Sequence, residues 1–154
     1  MENCIFCKIV NKEIPANIIY EDEHLLAFLD INPISDGHTL IVPKKHYKDL
    51  NEINEDIAGK ALVLAGKIGA SVVESFNYEG YSIWENNGDF QDVAHFHIHV
   101  FGRHKNNDLK IQDPETPYKS ENSHLINMKK WKPKKLPPMQ REHFGMCFHP
   151  CRCF

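Results

Sequence analysis

The sequence has no apolar run near the roughly 18 residues that a membrane-spanning helix requires, so no such helix is expected. Its opening, MENCIFCKIV, has neither a basic n-region nor a small-residue cleavage site, so no secretory signal peptide is expected. A cytoplasmic, reducing setting follows as the default. No internal repeat is present. The cysteine count, 5, is odd, and with no signal peptide this argues against a disulfide framework and towards metal ligation or free thiols.

What is present suits one globular domain. The chain has 154 residues, of which 42% are hydrophobic, 25% charged and 10% aromatic. The formal net charge of −3 hides an asymmetry. Residues 1–102 hold 7 Lys and Arg against 16 Asp and Glu, while residues 103–154 hold 11 against 5. The acidic part reads as the folded body and the basic part as something added to it.

Local patterns predict an α+β fold. CIFCKIVNKEIP reads as a short helix or turn ended by Pro15. NIIYED and HLLAFLD predict a hairpin with acidic turn residues between the strands. HTLIVPKKH predicts a third strand, which Pro43 ends or confines to an edge. Asn54 is a candidate N-cap, with Glu55 and Asp56 in the first turn. Ile57, Ala61, Leu64, Ala65, Ile68, Val72 and Phe76 then follow helical spacing to about Asn77, with Gly66 and Gly69 as weak points or close-packing positions. YSIWEN and VAHFHIHVFG predict two further strands joined by NGDFQD. Strands, one long helix, then strands suggest a mainly antiparallel sheet. A boundary is expected at 128/129. Beyond it KKWKPKKLPPMQREHFGMCFHPCRCF, with four prolines and no amphipathic pattern, reads as a tail.

AHFHIH places three histidines on alternate positions. On a strand, His95, His97 and His99 share one face, and Phe96, Ile98 and Val100 point to the other. A solvated polar face is the plain alternative, but such faces use Thr, Lys, Glu and Ser. Imidazoles in a row can bind metal, supply a nucleophile or donate to an anion. Close imidazoles discourage each other's protonation, which favours a neutral nucleophile.

HFHIHVF resembles the signature of the histidine triad (HIT) superfamily of nucleotide hydrolases and transferases. IFCKIVNKEIPANIIYEDEHLLAFLDINPISDGHTLIVPKKH is similar, in order and spacing, to the N-terminal half of its Hint branch, and ENNG with Gln91 also matches. The resemblance spans roughly residues 4 to 103. It implies a HIT-like fold: a five-stranded, mainly antiparallel sheet with one long and one short helix, paired into a homodimer. It implies attack by His97 on the α-phosphorus of a purine nucleotide, a covalent nucleotidyl-histidine, and release of the monophosphate by water. His99 matches the position that holds a phosphate oxygen or moves protons, and His38 a fourth active-site histidine. Asn86 and Gln91 match polar positions of the phosphate site, and Asp30 the carboxylate that takes the ribose hydroxyls. Ile5, Phe6, Ile9, Phe28 and Ile31 match the apolar slot for the base; plain core remains the alternative, above all for Ile9 and Ile31. The turn NNGDFQDVAH is two residues shorter than usual, and Asp92 stands where the branch has a Ser that positions the leaving group.

The Cys4-x-x-Cys7 pair alone could be redox-active, buried or metal-binding. Zinc would need two more ligands, for which His46 and His95 are candidates. Family members with this Cys pair are similar at all four positions, which implies a structural zinc on Cys4, Cys7, His46 and His95. In the tail, His143, Cys147, His149, Cys151 and Cys153 fit no defensible zinc spacing, and KKWKPKK reads as a solvated linker rather than a nucleic-acid contact. Rival functions on these residues are dinucleoside polyphosphate hydrolysis, a nucleotide-binding regulator with little turnover, and a metal-dependent hydrolase.

Overall fold

A computed structural model describes residues 4–106. The expected boundary at 128/129, the tail and its Cys/His cluster lie outside these residues. In chain order the elements are α1 (Ile5–Val10), β1 (Ile18–Glu21), β2 (Leu25–Leu29), β3 (Thr39–Pro43), α2 (Glu55–Phe76), β4 (Gly80–Glu85) and β5 (Ile98–Arg103). The strands form one sheet in the order β1-β2-β3-β5-β4, with every neighbouring pair antiparallel.

The β1–β2 hairpin turns where its acidic residues predict. Asp22 Oδ1 accepts the backbone N–H of both His24 and Leu25 at 2.7 Å, folding the turn onto its own side chain. β2 and β3 are buried along their whole length because both sheet faces are covered. Leu25, Ala27, Ile41, Ile98 and Val100 pack with Ala61, Leu64, Ala65, Ile68 and Val72 of α2. Leu26, Phe28, Leu40 and Val42 point the other way and pack with Phe6 and Ile9 of α1. Each Leu, Ile, Val or Phe among them contributes about 1.5–3 kcal/mol by leaving water, and each Ala less.

α2 starts and stops where its caps allow. The Asn54 side chain accepts from the N–H of Asp56 and Ile57, and Asn77 ends the helix in the left-handed conformation at φ 58°. Gly69 is a close-packing position: a Cβ there would lie 2.3 Å from the Tyr81 ring of β4.

Two expectations are corrected, at α1 and at the last strand, and one pair of alternatives is decided, at Pro43. α1 ends at Val10, well before Pro15; Lys12, at φ 65°, turns the chain first. Of the two readings of Pro43 the first holds: it ends β3, which is a central strand. The last strand begins at Ile98, not Val93, so His95 and His97 precede the ladder. Proline has no N–H to give, and the Pro43 carbonyl is taken by the ring of His95, so the backbone pairing stops there. The alternation of faces nevertheless persists: Phe96 enters the α2 core, while His95 and His97 face α1.

Candidate active site and metal centre

The histidines of β5 and the segment before it sit against α1 and β3, and their hydrogen bonds fix which nitrogen carries the proton. His97 Nδ1 lies 2.7 Å from the His95 carbonyl oxygen. A carbonyl only accepts, so Nδ1 carries the proton and the Nε2 lone pair is left for the cavity that His97 lines. His38 Nδ1 accepts the N–H of Ile34 at 3.2 Å, so its Nε2–H donates to His99 Nδ1, 3.0 Å away. His99 then presents an Nε2–H. Burial lowers the pKa of His97. It takes His38 down to about 4. His99 also falls to about 4, by burial first and then by its neighbours His38 and His97. All three are neutral near pH 7. The Asp30 carboxylate lies 3.4 Å from His38 Nδ1. That nitrogen already accepts a proton donor and its ring is neutral, so the contact is no ion pair. Burial also raises the Asp30 carboxyl above its ordinary range.

A second constellation lies beside the first. The donor atoms of Cys4, Cys7, His46 and His95 all fall within 4.8 Å of one another. Cys4 Sγ is 3.4 Å and Cys7 Sγ 3.5 Å from His95 Nδ1, and Cys7 Sγ is 3.3 Å from His46 Nδ1. A tetrahedral zinc would hold such nitrogens and sulfurs about 3.5 Å apart. His95 Nε2–H donates to the Pro43 carbonyl at 2.9 Å, which turns the Nδ1 lone pair towards the sulfurs. Burial, with Cys4 beside it, pushes the Cys7 thiol up to about 11; a cation among the four groups would make it a thiolate. The donor chemistry therefore fits a metal ion, and four protein ligands would close its coordination. Phe6, between the two cysteines, meets the rings of both His95 (5.9 Å) and His97 (5.1 Å) edge-on, so the metal group and the nucleophile candidate share one packing contact.

A cavity of about 820 Å³ opens onto this face. Its lining includes Ile5, Phe6, Ile9, Phe28, Asp30, Ile31, Asp92, His97 and His99. Ile9 is core and lining at once; Ile31, 83% exposed, is not core. His38 stands behind His99, fully buried. Asn86 and Gln91 are not among the residues that line this cavity, and the Gln91 side-chain amide donates to the Lys48 carbonyl at 2.9 Å. Sequence reasoning missed the Ile34 N–H and the wall at Ile14–Asn17. The first is a backbone group in an irregular loop, and the second has no periodic pattern.

A family model described as the HIT domain matches residues 11–106. The chain belongs to the HIT family. An uncharacterised HIT-like protein of Methanocaldococcus jannaschii is 48% identical over 104 residues, which is 66% of this chain and 80% of that one. The adenosine 5'-monophosphoramidase HNT1 of Saccharomyces cerevisiae is 36% identical over 99 residues, 63% of this chain and 60% of that one. The crystal structure of a zinc-bound histidine triad family protein from Mycobacterium smegmatis matches with a TM-score of 0.68 at 37% identity, covering 73% of this chain and 84% of that one. The HIT relatives thus include a named hydrolase. No helix among the described residues of this HIT protein is long and apolar enough to cross a membrane.

Proposed function

We propose that this protein is a nucleotide phosphohydrolase or nucleotidyl transferase that cleaves purine nucleoside phosphoramidates, or related nucleoside monophosphate conjugates, through a covalent nucleotidyl-His97. One observation carries the reading: His97 is buried and neutral, and its Nδ1–H is held by the His95 carbonyl, so Nε2 meets the cavity as a lone pair. A neutral imidazole so oriented attacks well at neutral pH and leaves well afterwards. The His97 Nε2–P bond forms as the P–N bond breaks, and the departing nitrogen takes up a proton. Water then attacks phosphorus, frees the monophosphate and restores His97. The Nε2–H of His99, fixed through His38 and Ile34, is suited to hold a phosphoryl oxygen. Asp30 is suited to accept ribose hydroxyls, and Ile5, Phe6, Ile9, Phe28 and Ile31 to enclose the base.

Cys4, Cys7, His46 and His95 would hold a structural zinc, whose part is to cross-link α1 to the segment carrying the nucleophile. With four protein donors it keeps no open position for substrate. A homodimer belongs to the same reading: β4 is an edge strand, and Leu62 and Val63 of α2 are more than half exposed. Hydrolysis of dinucleoside polyphosphates would use the same nucleophile. A binding protein would have no need of a neutral histidine held this way.

Intact-protein mass spectrometry after brief mixing with an adenosine phosphoramidate and an acid quench tests the reading. The wild type should gain one AMP transiently, and His97→Gly should not, with turnover reduced by roughly a thousandfold or more. An adduct of equal yield in His97→Gly refutes the assignment.

A further inference from the structure

The charge inventory of the cavity is one-sided. Asp30 and Asp92 are its two carboxylates, and none of its described lining residues is Lys or Arg. Among the described lining residues a phosphorylated ligand therefore meets carboxylates and no Lys or Arg. Asp30 can be satisfied by donors that carry no charge, such as sugar hydroxyls. Asp92 is exposed and makes no hydrogen bond among the described residues. It lines the same cavity as His97 and His99. Ile5, Phe6 and Ile9 of α1, with Phe28, supply apolar lining to the same cavity.

We infer that Asp92 sets leaving-group specificity, and that the preferred substrates are nucleoside phosphoramidates whose departing amine carries a further positive charge, as an alkyl diamine does. The inference rests on the nucleotidyl-His97 reading and adds the substrate class to it. A pyrophosphate or carboxylate tail would bring negative charge against a carboxylate with no Lys or Arg among the described lining residues to offset it. An ammonium tail would bring the opposite charge within a few ångströms of Asp92. In the step itself the Nε2–P bond forms, the P–N bond breaks, and the departing nitrogen takes a proton from water at the cavity mouth. Asp92 gains and loses no proton. Because Asp92 is exposed, the expected selection is about two- to fivefold for each unit of tail charge and weakens with salt.

The test uses the full chain and three adenosine 5'-phosphoramidates with the same P–NH–CH₂ linkage. Their tails end in an ammonium, a hydroxyl or a carboxylate. For the wild type, kcat/KM should fall in that order, and the spread should shrink at high salt. In Asp92→Asn and Asp92→Ser the order should vanish, and in Asp92→Glu it should persist. A wild type indifferent to tail charge, or an unchanged order in Asp92→Asn, overturns the inference. If no conjugate is turned over, the hydrolase reading fails, and calorimetric affinities for the same three compounds then judge Asp92. Affinities ordered by charge in the wild type alone support it, and equal affinities refute it.

Discussion

Phe96, Ile98 and Val100 alternate along the chain with His95, His97 and His99, yet the two sets live in different chemistry. The first set joins the core under α2, where a 22-residue helix with its own caps covers the sheet. The second faces α1, a helix of 6 residues. So short a helix is not stable by itself in water. It is held by the burial of Phe6 and Ile9 and by cysteines within and before it that can share a metal with His46 and His95. One face is fixed by packing alone. The other depends on polar groups whose protons and partners must be in place, and that dependence makes it suited to chemistry.

The two faces should therefore fail differently. Phe96, only 1% exposed, should lose about 3–5 kcal/mol of unfolding free energy on substitution to Ala, read from urea titration. The molecules that remain folded should retain turnover, the reverse of the pattern expected for His97→Gly. Loss of activity in fully folded Phe96→Ala would break the division. With zinc bound as proposed, chelation or Cys4→Ser should raise hydrogen exchange in α1 by roughly a hundredfold, about 3 kcal/mol of local protection, and leave the middle of α2 unchanged. Equal loosening of both helices would show that the metal supports the whole domain. Acid should act on the histidine face as well. His38 falls from 6.5 in the unfolded chain to about 4 when folded. Between those values the unfolded chain binds more protons, so stability is fully present above about pH 6.5 and falls as pH drops towards 4. His38 alone contributes up to about 3 kcal/mol to that loss. A flat urea midpoint across this window would mean that His38 is not buried as a neutral ring.

Much of this division was legible in residues 4–106. The apolar spacing of α2 and its Asn caps mark the long helix, because a helix 22 residues long repeats its signal many times. The alternation around His97 assigns faces correctly even where no ladder exists, because an extended chain alternates with or without pairing. The end of that ladder was not legible. It is set by Pro43 giving its carbonyl to the His95 ring, a contact 52 residues apart in sequence.

The sequence by itself determined which residues carry chemistry, since only His, Cys and Asp of this pattern supply such donors, and their resemblance to the HIT family follows from order and spacing alone. Only the tertiary structure decided what each does. The proton on His97 is assigned by the His95 carbonyl, that on His99 by a chain running back through His38 to the Ile34 amide, and the cysteines gain partners from two other segments. Gln91 finds its partner in the Lys48 carbonyl, and Asp92 lines the same cavity as His97. A tautomer or a ligand set is a property of neighbours in space, and those neighbours exist only once the sheet has brought distant segments together.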